Sequence, residues 1–425
     1  MNQLIFIAIR NLMRNRRRTL LALGALVVGL TVMTGLRGFV NSIMKAQLEA
    51  TTHGFTGMLQ VHKKGYNKNV LSNPLNLSFA DSNQLRKKLL DVPGVSAIAP
   101  RIMFSGIYSA PEPLDGKIET DKQQSSFFTA LAIEPALEKI VAPKVFEWIV
   151  DGEMLSEKND KGMVLNSAVG RALKINITEI GSEKSESRWP IILASDRDGS
   201  LNGEAVKPVG FLGSAMPGDK RFALIQLKLA QKILRMDGQI TEFAISLTNI
   251  SDAKLVQKKL EAELGPDFEV HRWDELMPYL RDLLENMETI FGIVTGIFFL
   301  VVLLGIINTM FMSVLERTRE IGTMMAVGVK RAQIISLFVF EGFFLGCLGG
   351  VIGVTLGMVL VLIMQGIGIH ITAPGSAIIL DLRPFVSPYW LVRSAVYAGI
   401  GSAFVSFWPA LKASQLKPVE ALQSI

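Results

Sequence analysis

"ERTREIGTMMAVGVKRAQI", Glu316 to Ile334, decides how this chain is read. It is charged at both ends, yet it lies between two long apolar runs: "IFGIVTGIFFLVVLLGIINTMFMSVL" (290–315) and "ISLFVFEGFFLGCLGGVIGVTLGMVLVLIMQGIGI" (335–369). About 20 apolar residues cross a bilayer as a helix, because nothing in the hydrocarbon can hydrogen-bond a backbone that is not already satisfied internally. Spans are therefore expected over Thr289 to Val314 and Ile334 to Ile363. Working outward, Leu20 to Val40 and Trp390 to Leu411 qualify as well. The chain has 425 residues, 49% of them hydrophobic and only 19% charged, a balance outside that of ordinary soluble domains. It reads as an α-helical membrane protein with four spans.

Arginine and lysine near the span ends set the orientation. Arg10, Arg14, Arg16, Arg17 and Arg18 place the N-terminus in the cytoplasm. Residues 42–288 then lie outside, Glu316 to Lys330 inside, the loop from Pro374 to Pro388 outside, and Lys412 to Ile425 inside. Arg317, Arg319, Lys330, Arg331, Lys412 and Lys417 agree with this at each inner end. The formal net charge of +6 follows from the same bias and calls for no nucleic acid. The basic start lacks the small-residue cleavage site of a signal peptide, so the first span is expected to be retained. The single cysteine, Cys347, cannot pair within the chain.

The deciding segment is thus a connection on the inner side. Ile321, Met324 and Met325 recur at helical spacing, Glu316, Arg317, Arg319 and Glu320 crowd the first turns, and Gly328 is placed to end the helix in the left-handed region. Such a helix either anchors at the lipid headgroups or presents an apolar face to a groove on a second protein.

"ERTREIGTMMAVGVKRAQIISLFVFEGFFLGCLGGVIGVTLG" resembles the signature segment of the FtsX-like permease family. "WPALKASQLKPVEALQ" (408–423) resembles its C-terminal motif, and "IAIRNLMRNRRRTLLALGAL" its N-terminal elbow and first helix. The resemblance implies four spans with one large external domain after the first, as in lipoprotein-releasing and macrolide-exporter permeases of ABC systems. It implies a bacterial inner-membrane protein in which Glu316, Arg317, Arg319, Glu320, Ile321, Met325 and Gly328 form the helix that couples to the ATPase. No G-x-x-x-x-G-K-[ST] occurs in the sequence, so nothing here would cradle a nucleotide phosphate. ATP and Mg are then expected on a separate ATPase dimer, with no cofactor and no catalysis in this chain. Lipoprotein release is the leading function, with drug or peptide efflux, or signalling to a periplasmic cell-wall hydrolase, as alternatives. The expected partners are that ATPase, a second permease copy, membrane lipids and a periplasmic lipoprotein carrier.

Other candidate residues follow from spacing. Gly342, Gly346 and Gly350 recur every four residues, as do Gly349, Gly353 and Gly357, making two ridges for close helix packing. Glu341 lies beside them and is expected to pair with Arg331 or Lys330. A substrate path for acyl chains is expected at the outer ends of the first two spans. It would take Met33, Leu36, Phe39, Val40, Ile43 and Met44 from the first, and Met287, Ile290, Phe291 and Val294 from the second. His53, His62, His271 and His370 show no metal-ligand spacing, and His62 reads as a strand or surface residue.

The chain divides into an elbow and first span (1–41), an external domain (42–288) and three spans with the coupling helix at 316–328 (289–425). "QLRKKLLDVPGVSAIAPRI" and "KLVQKKLEAELGPDFEVHRW", at opposite ends of the external domain, each read as helix, glycine turn and strand. Together they predict a porter-like α/β unit. Between them, "GMVLNSAVGRAL", "RWPIILASD", "VKPVGFLG" and "RFALIQL" predict a β-rich insert, giving an α+β domain overall. The loop Ser195 to Ala205 is short and lacks the paired prolines of the extended hairpin with which related permeases recruit a carrier. Self-pairing of the permease is favoured slightly over a paralogous partner.

Overall fold

The computed structural model describes residues 10, 16–70, 74–109, 125–173, 175, 189–213, 220–372 and 379–416. The elbow before Arg16 apart from Arg10, the centre of the outer loop at 373–378 and the end of the C-terminal motif from Lys417 onward lie outside them. Five helices matter for the membrane-spanning part: α1 (Arg16–Ala50), α2 (Pro278–Glu316), α3 (Thr318–Ala326), α4 (Arg331–Ile367) and α5 (Pro388–Ser414). Of these, α1, α2, α4 and α5 are long and apolar enough to cross a membrane. Each extends beyond the apolar run read from sequence, because polar flanking residues continue the backbone hydrogen bonding until a cap stops it. At the start of α5, Pro388 occupies the first turn and the Trp390 N–H donates to Ser387 Oγ at 3.3 Å. Gly368 ends α4 at φ +72°.

The chain forms two compact units, the first comprising residues 1–45, 283–369 and 381–425. Its centre is an α4–α5 hairpin in which the two glycine ridges face different neighbours. A Cβ added at Gly346 would lie 2.5 Å from the Ala398 carbonyl oxygen, and one at Gly342 would collide with Ser406. On the other ridge a Cβ at Gly353 would lie 2.8 Å from Leu30 Cβ and one at Gly357 2.5 Å from Thr34 Cβ. One ridge therefore seats α5 and the other seats α1, which is why both are needed. The contact is close enough for polar atoms to matter. Thr31 Oγ1 donates to the Gly353 carbonyl at 3.1 Å, while Ser402 and Ser406 donate to carbonyls one turn back in α5 at 2.6 and 2.7 Å, so these buried hydroxyls are satisfied.

The second unit, residues 46–282 and 370–380, is an α+β domain around an 11-stranded mixed sheet. Its strands are β1 (Leu59–Lys63), β2 (Val95–Ser109), β3 (Ser125–Ile133), β4 (Ile149–Gly152), β5 (Gly162–Asn166) and β6 (Ile191–Ser195). β7 (Leu201–Ala205), β8 (Lys207–Leu212), β9 (Phe222–Gln226), β10 (Glu242–Leu247) and β11 (Phe268–Arg272) complete it. The order is β11-β1-β10-β2-β3-β9-β5-β8-β4, with β6 on β2 and β7 on β6. The two helix–turn–strand segments become the helices Asn83–Leu90 and Ala253–Leu264, followed by β2 and β11. These strands are separated in the sheet by β1 and β10.

The β-rich insert is not a detached layer. β2 pairs with β10 through Val95–Arg101 and with β6 through Gly106–Ser109, while Arg101–Ser109 pairs with β3. One long strand thus carries the sheet from the α/β part into the insert, so a single apolar core is continuous from Val256 and Leu260 to Phe104, Tyr108 and Ile192. A second cluster on the other face gathers Leu131, Ile133, Val164 and Leu224 around Trp148.

Candidate functional site

The deciding segment is a helix, two residues shorter at each end than the expected 316–328. Glu316 is the last residue of α2, Arg317 breaks the helix at φ −104°, and α3 begins at Thr318. Its end is a glycine cap: Gly328 has φ +99°, its N–H donates to the Met325 carbonyl at 3.1 Å, and Val329 N–H donates to the Met324 carbonyl at 3.0 Å. These two bonds close the last turn in the Schellman pattern.

The expectation that Ile321 faces outward is corrected by the packing. Ile321 is fully buried within its own unit, in a cluster with Val314 of α2, Ile334 and Phe338 of α4 and Ala410 and Ala413 of α5; Met324 and Met325 pack against that cluster partly buried. The apolar stripe of α3 therefore holds it onto its own helices. The segment from the end of α2 to the α3 cap presents outward Glu316, Arg319, Glu320, Thr323, Ala326 and Val327, the last 82% exposed. Arg317 also turns inward. Its Nη1 lies 3.4 Å from Glu341 Oε2, with both side chains only 5% exposed. This replaces the expected pairing of Glu341 with Lys330 or Arg331. Arg331 stands about 15 Å below Glu341 along α4, and both basic side chains are exposed.

The substrate-path residues are spread over different surroundings. Met33 lines a cavity of about 240 Å³ between α1, α2 and α5, whose walls include Leu26, Leu30, Phe298, Phe299, Val302 and Trp390. Phe291 is buried just beyond it, under the guanidinium of Arg37 at 5.0 Å. Leu36, Ile290 and Val294 are exposed on the helix surfaces. Phe39, Val40, Ile43, Met44 and Met287 are half-buried and do not line the cavity. Sequence reasoning passed over Arg37, which pairs with Glu288 at 2.7 Å, although a lone charge in an apolar run is itself a signal.

In the α+β domain the loop from Ser195 to Ala205 is a tight hairpin. Ser195 pairs with Leu201, and Asp196 accepts from the N–H groups of Asp198 and Ser200 and from Asn202 Nδ2. His62 is a strand residue and 1% exposed, with Nδ1 3.2 Å from the Thr241 carbonyl, Nε2 3.0 Å from Gln60 Oε1, and its ring stacked on Tyr66 at 4.3 Å. Burial lowers its pKa to about 4. No group of three or more His, Cys, Asp and Glu among the described residues is placed to hold a metal.

Residues 292–418, which run from within α2 through α3, α4 and α5, match the FtsX-like permease C-terminal domain. The chain thus carries an FtsX-like permease C-terminal domain over these residues. An uncharacterized ABC transporter permease of Methanocaldococcus jannaschii is 22% identical across 99% of this chain and 98% of its own length. A macrolide export ATP-binding/permease protein of Wolinella succinogenes is 23% identical across 98% of this chain, which spans 60% of that relative. Among solved structures, the periplasmic region of MacB from Actinobacillus actinomycetemcomitans aligns over 52% of this chain and 92% of its own, at 12% identity and a TM-score of 0.34.

Proposed function

We propose that this FtsX-like permease is the membrane subunit of an ABC transporter, coupling ATP hydrolysis on a separate ATPase to removal of an amphipathic substrate from the outer leaflet of the inner membrane. The observation that carries this reading is the build of α3. Its inner face is locked to α2, α4 and α5 through Ile321, and its outer face is charged and exposed. A helix held so firmly moves with the spans it joins, so force on Arg319, Glu320 or Val327 reaches α4 and α5 directly. Both termini are then cytoplasmic, and an ATPase that works as a dimer calls for two permease copies.

The leading substrate is a lipidated protein, since the cavity of about 240 Å³ has an almost wholly apolar wall of the kind an acyl chain needs. Export of a small amphiphile is the second reading, favoured by the likeness to the macrolide export protein of Wolinella succinogenes. The tight Ser195–Ala205 hairpin supports a system in which this loop does not recruit a carrier.

The test is Val327→Asp, which changes an exposed residue and leaves the Ile321 cluster intact. Reconstituted with its ATPase, the variant should fold normally and lose substrate-stimulated ATP hydrolysis at least tenfold. Full stimulation would overturn the docking role of α3. Ile321→Asp is uninformative, because a buried charge there disrupts the permease itself.

A further inference from the structure

We propose that the cavity between α1, α2 and α5 takes a hydrocarbon chain of an anionic membrane lipid, and that Arg37 receives the lipid phosphate in exchange with Glu288. Arg37 stands one turn beyond Met33 on α1, and Glu288 one turn before Gly292 on α2; both Met33 and Gly292 line the cavity. The pair therefore sits over one end of the apolar space. From Leu26 to Arg37 the helix rises about 16 Å, roughly one leaflet of a hydrocarbon core about 30 Å thick.

The two members of the pair are held unequally. The Arg37 side chain is 16% exposed and stacks on Phe291, whereas the Glu288 side chain is 51% exposed. The carboxylate can leave for water while the guanidinium stays. Arg37 Nε is buried with no hydrogen-bond partner among the described residues, so the fork has a donor that Glu288 does not use. A phosphate accepts two parallel N–H bonds from such a fork. Inside the cavity, Thr295 Oγ1 is likewise buried and unpartnered, a donor for an ester carbonyl below the phosphate. A cationic site at the mouth of an apolar slot matches a molecule with an anion at the head of its chains. A lipidated peptide without a phosphate does not use Arg37.

The full-length permease, purified in detergent without ATPase, would be exchanged against phosphatidylglycerol, phosphatidylcholine, an uncharged diacylated peptide and inorganic phosphate, and retained molecules counted by native mass spectrometry. Wild type should retain phosphatidylglycerol at least tenfold over phosphatidylcholine. Arg37→Met should abolish that preference, Arg37→Lys should keep part of it, and Glu288→Gln should strengthen it. Gly296→Phe tests the slot, since a side chain there enters open space; it should expel the lipid.

Equal retention of phosphatidylcholine by wild type, or a preference for phosphatidylglycerol that survives in Arg37→Met, would overturn the proposal. So would displacement of the lipid by inorganic phosphate, which would make the site one for a free anion, or unchanged retention in Gly296→Phe. The inference rests on the permease reading only for its purpose. Val327→Asp should leave lipid retention unchanged, so failure of one idea does not hide failure of the other.

Discussion

Arg101 in the α+β domain and Arg317 in the membrane unit are both buried against glutamates, and they are held differently. Arg101 donates to Glu138 through Nε at 3.0 Å and Nη2 at 2.5 Å, and to the Phe55 carbonyl through Nη1 at 2.6 Å, with Glu242 a further 3.5 Å away. Arg317 meets Glu341 only at 3.4 to 3.5 Å. The first arrangement has short bonds and more carboxylate than guanidinium; burial then raises the Glu242 pKa, with Glu138 adding to the effect and Arg101 opposing it. It fixes the segment around Phe55 to the sheet. The second sits where α2 passes into α3 and ties that break to α4 with longer contacts. The sheet domain thus has the shorter and more crowded contacts, and the α2–α3 break the longer ones.

Removing each arginine is the strongest way to break the comparison. Arg101→Met leaves two buried carboxylates without a cation and should cost the domain about 3–5 kcal/mol. Hydrogen exchange at β2 and β10 in the full-length protein would read that loss. Arg317→Met should cost less, about 1–2 kcal/mol, and weaken coupling to the ATPase without opening the sheet. Equal stability losses would remove the distinction.

Acid sharpens the contrast at the next level. The folded pKa of His62 is about 4 against 6.5 when unexposed to the fold. Between these values the unfolded chain binds a proton that the folded chain does not, so stability present above pH 6.5 is lost as pH falls to 4, by roughly 3 kcal/mol. Glu242 contributes in the opposite sense: its raised pKa favours folding in acid, and this fades as pH rises through the raised value. His62→Gln isolates the histidine. The stability difference between wild type and variant, followed by hydrogen exchange at β1 from pH 7 to 4, should shift against wild type; a flat difference contradicts the assignment.

The smallest effect separates two kinds of glycine in the membrane unit. Gly346→Val drives a side chain into Ala398 and Ser402 and should cost about 1–3 kcal/mol. Gly305→Ala meets open space and should be tolerated. Thermal stability in detergent distinguishes them, and similar melting of both variants would show that the ridge is not a packing surface.

The membrane unit was legible because a 20-residue apolar run has few alternatives and because glycine spacing on a helix fixes a face. Strands such as β5, β8 and β9 were legible as short apolar runs between turns. What stayed hidden depended on contacts distant in sequence. An amphipathic pattern shows that Ile321 needs an apolar neighbour, not whether that neighbour is its own chain. Glu341 could be matched with Arg317 only after the α2–α3 break folded the arginine back. Arg101 gives no periodic signal, since a buried arginine in a strand looks like any polar position. Arg37 was readable as a lone charge in a span, but its partner Glu288 lies 251 residues away in sequence and no local pattern points to it.

The claim that α3 is held by its buried face and docks by its exposed one is tested most directly by cross-linking. With Cys347 replaced by Ala, single cysteines at Val327, Thr323 and Ile321 would be coupled in native membranes to neighbouring amines, and the products identified by mass spectrometry. Val327→Cys and Thr323→Cys should join the permease to a protein carrying a Walker A motif, and Ile321→Cys should not. A Walker A protein captured from Ile321, with none from Val327, would contradict the account.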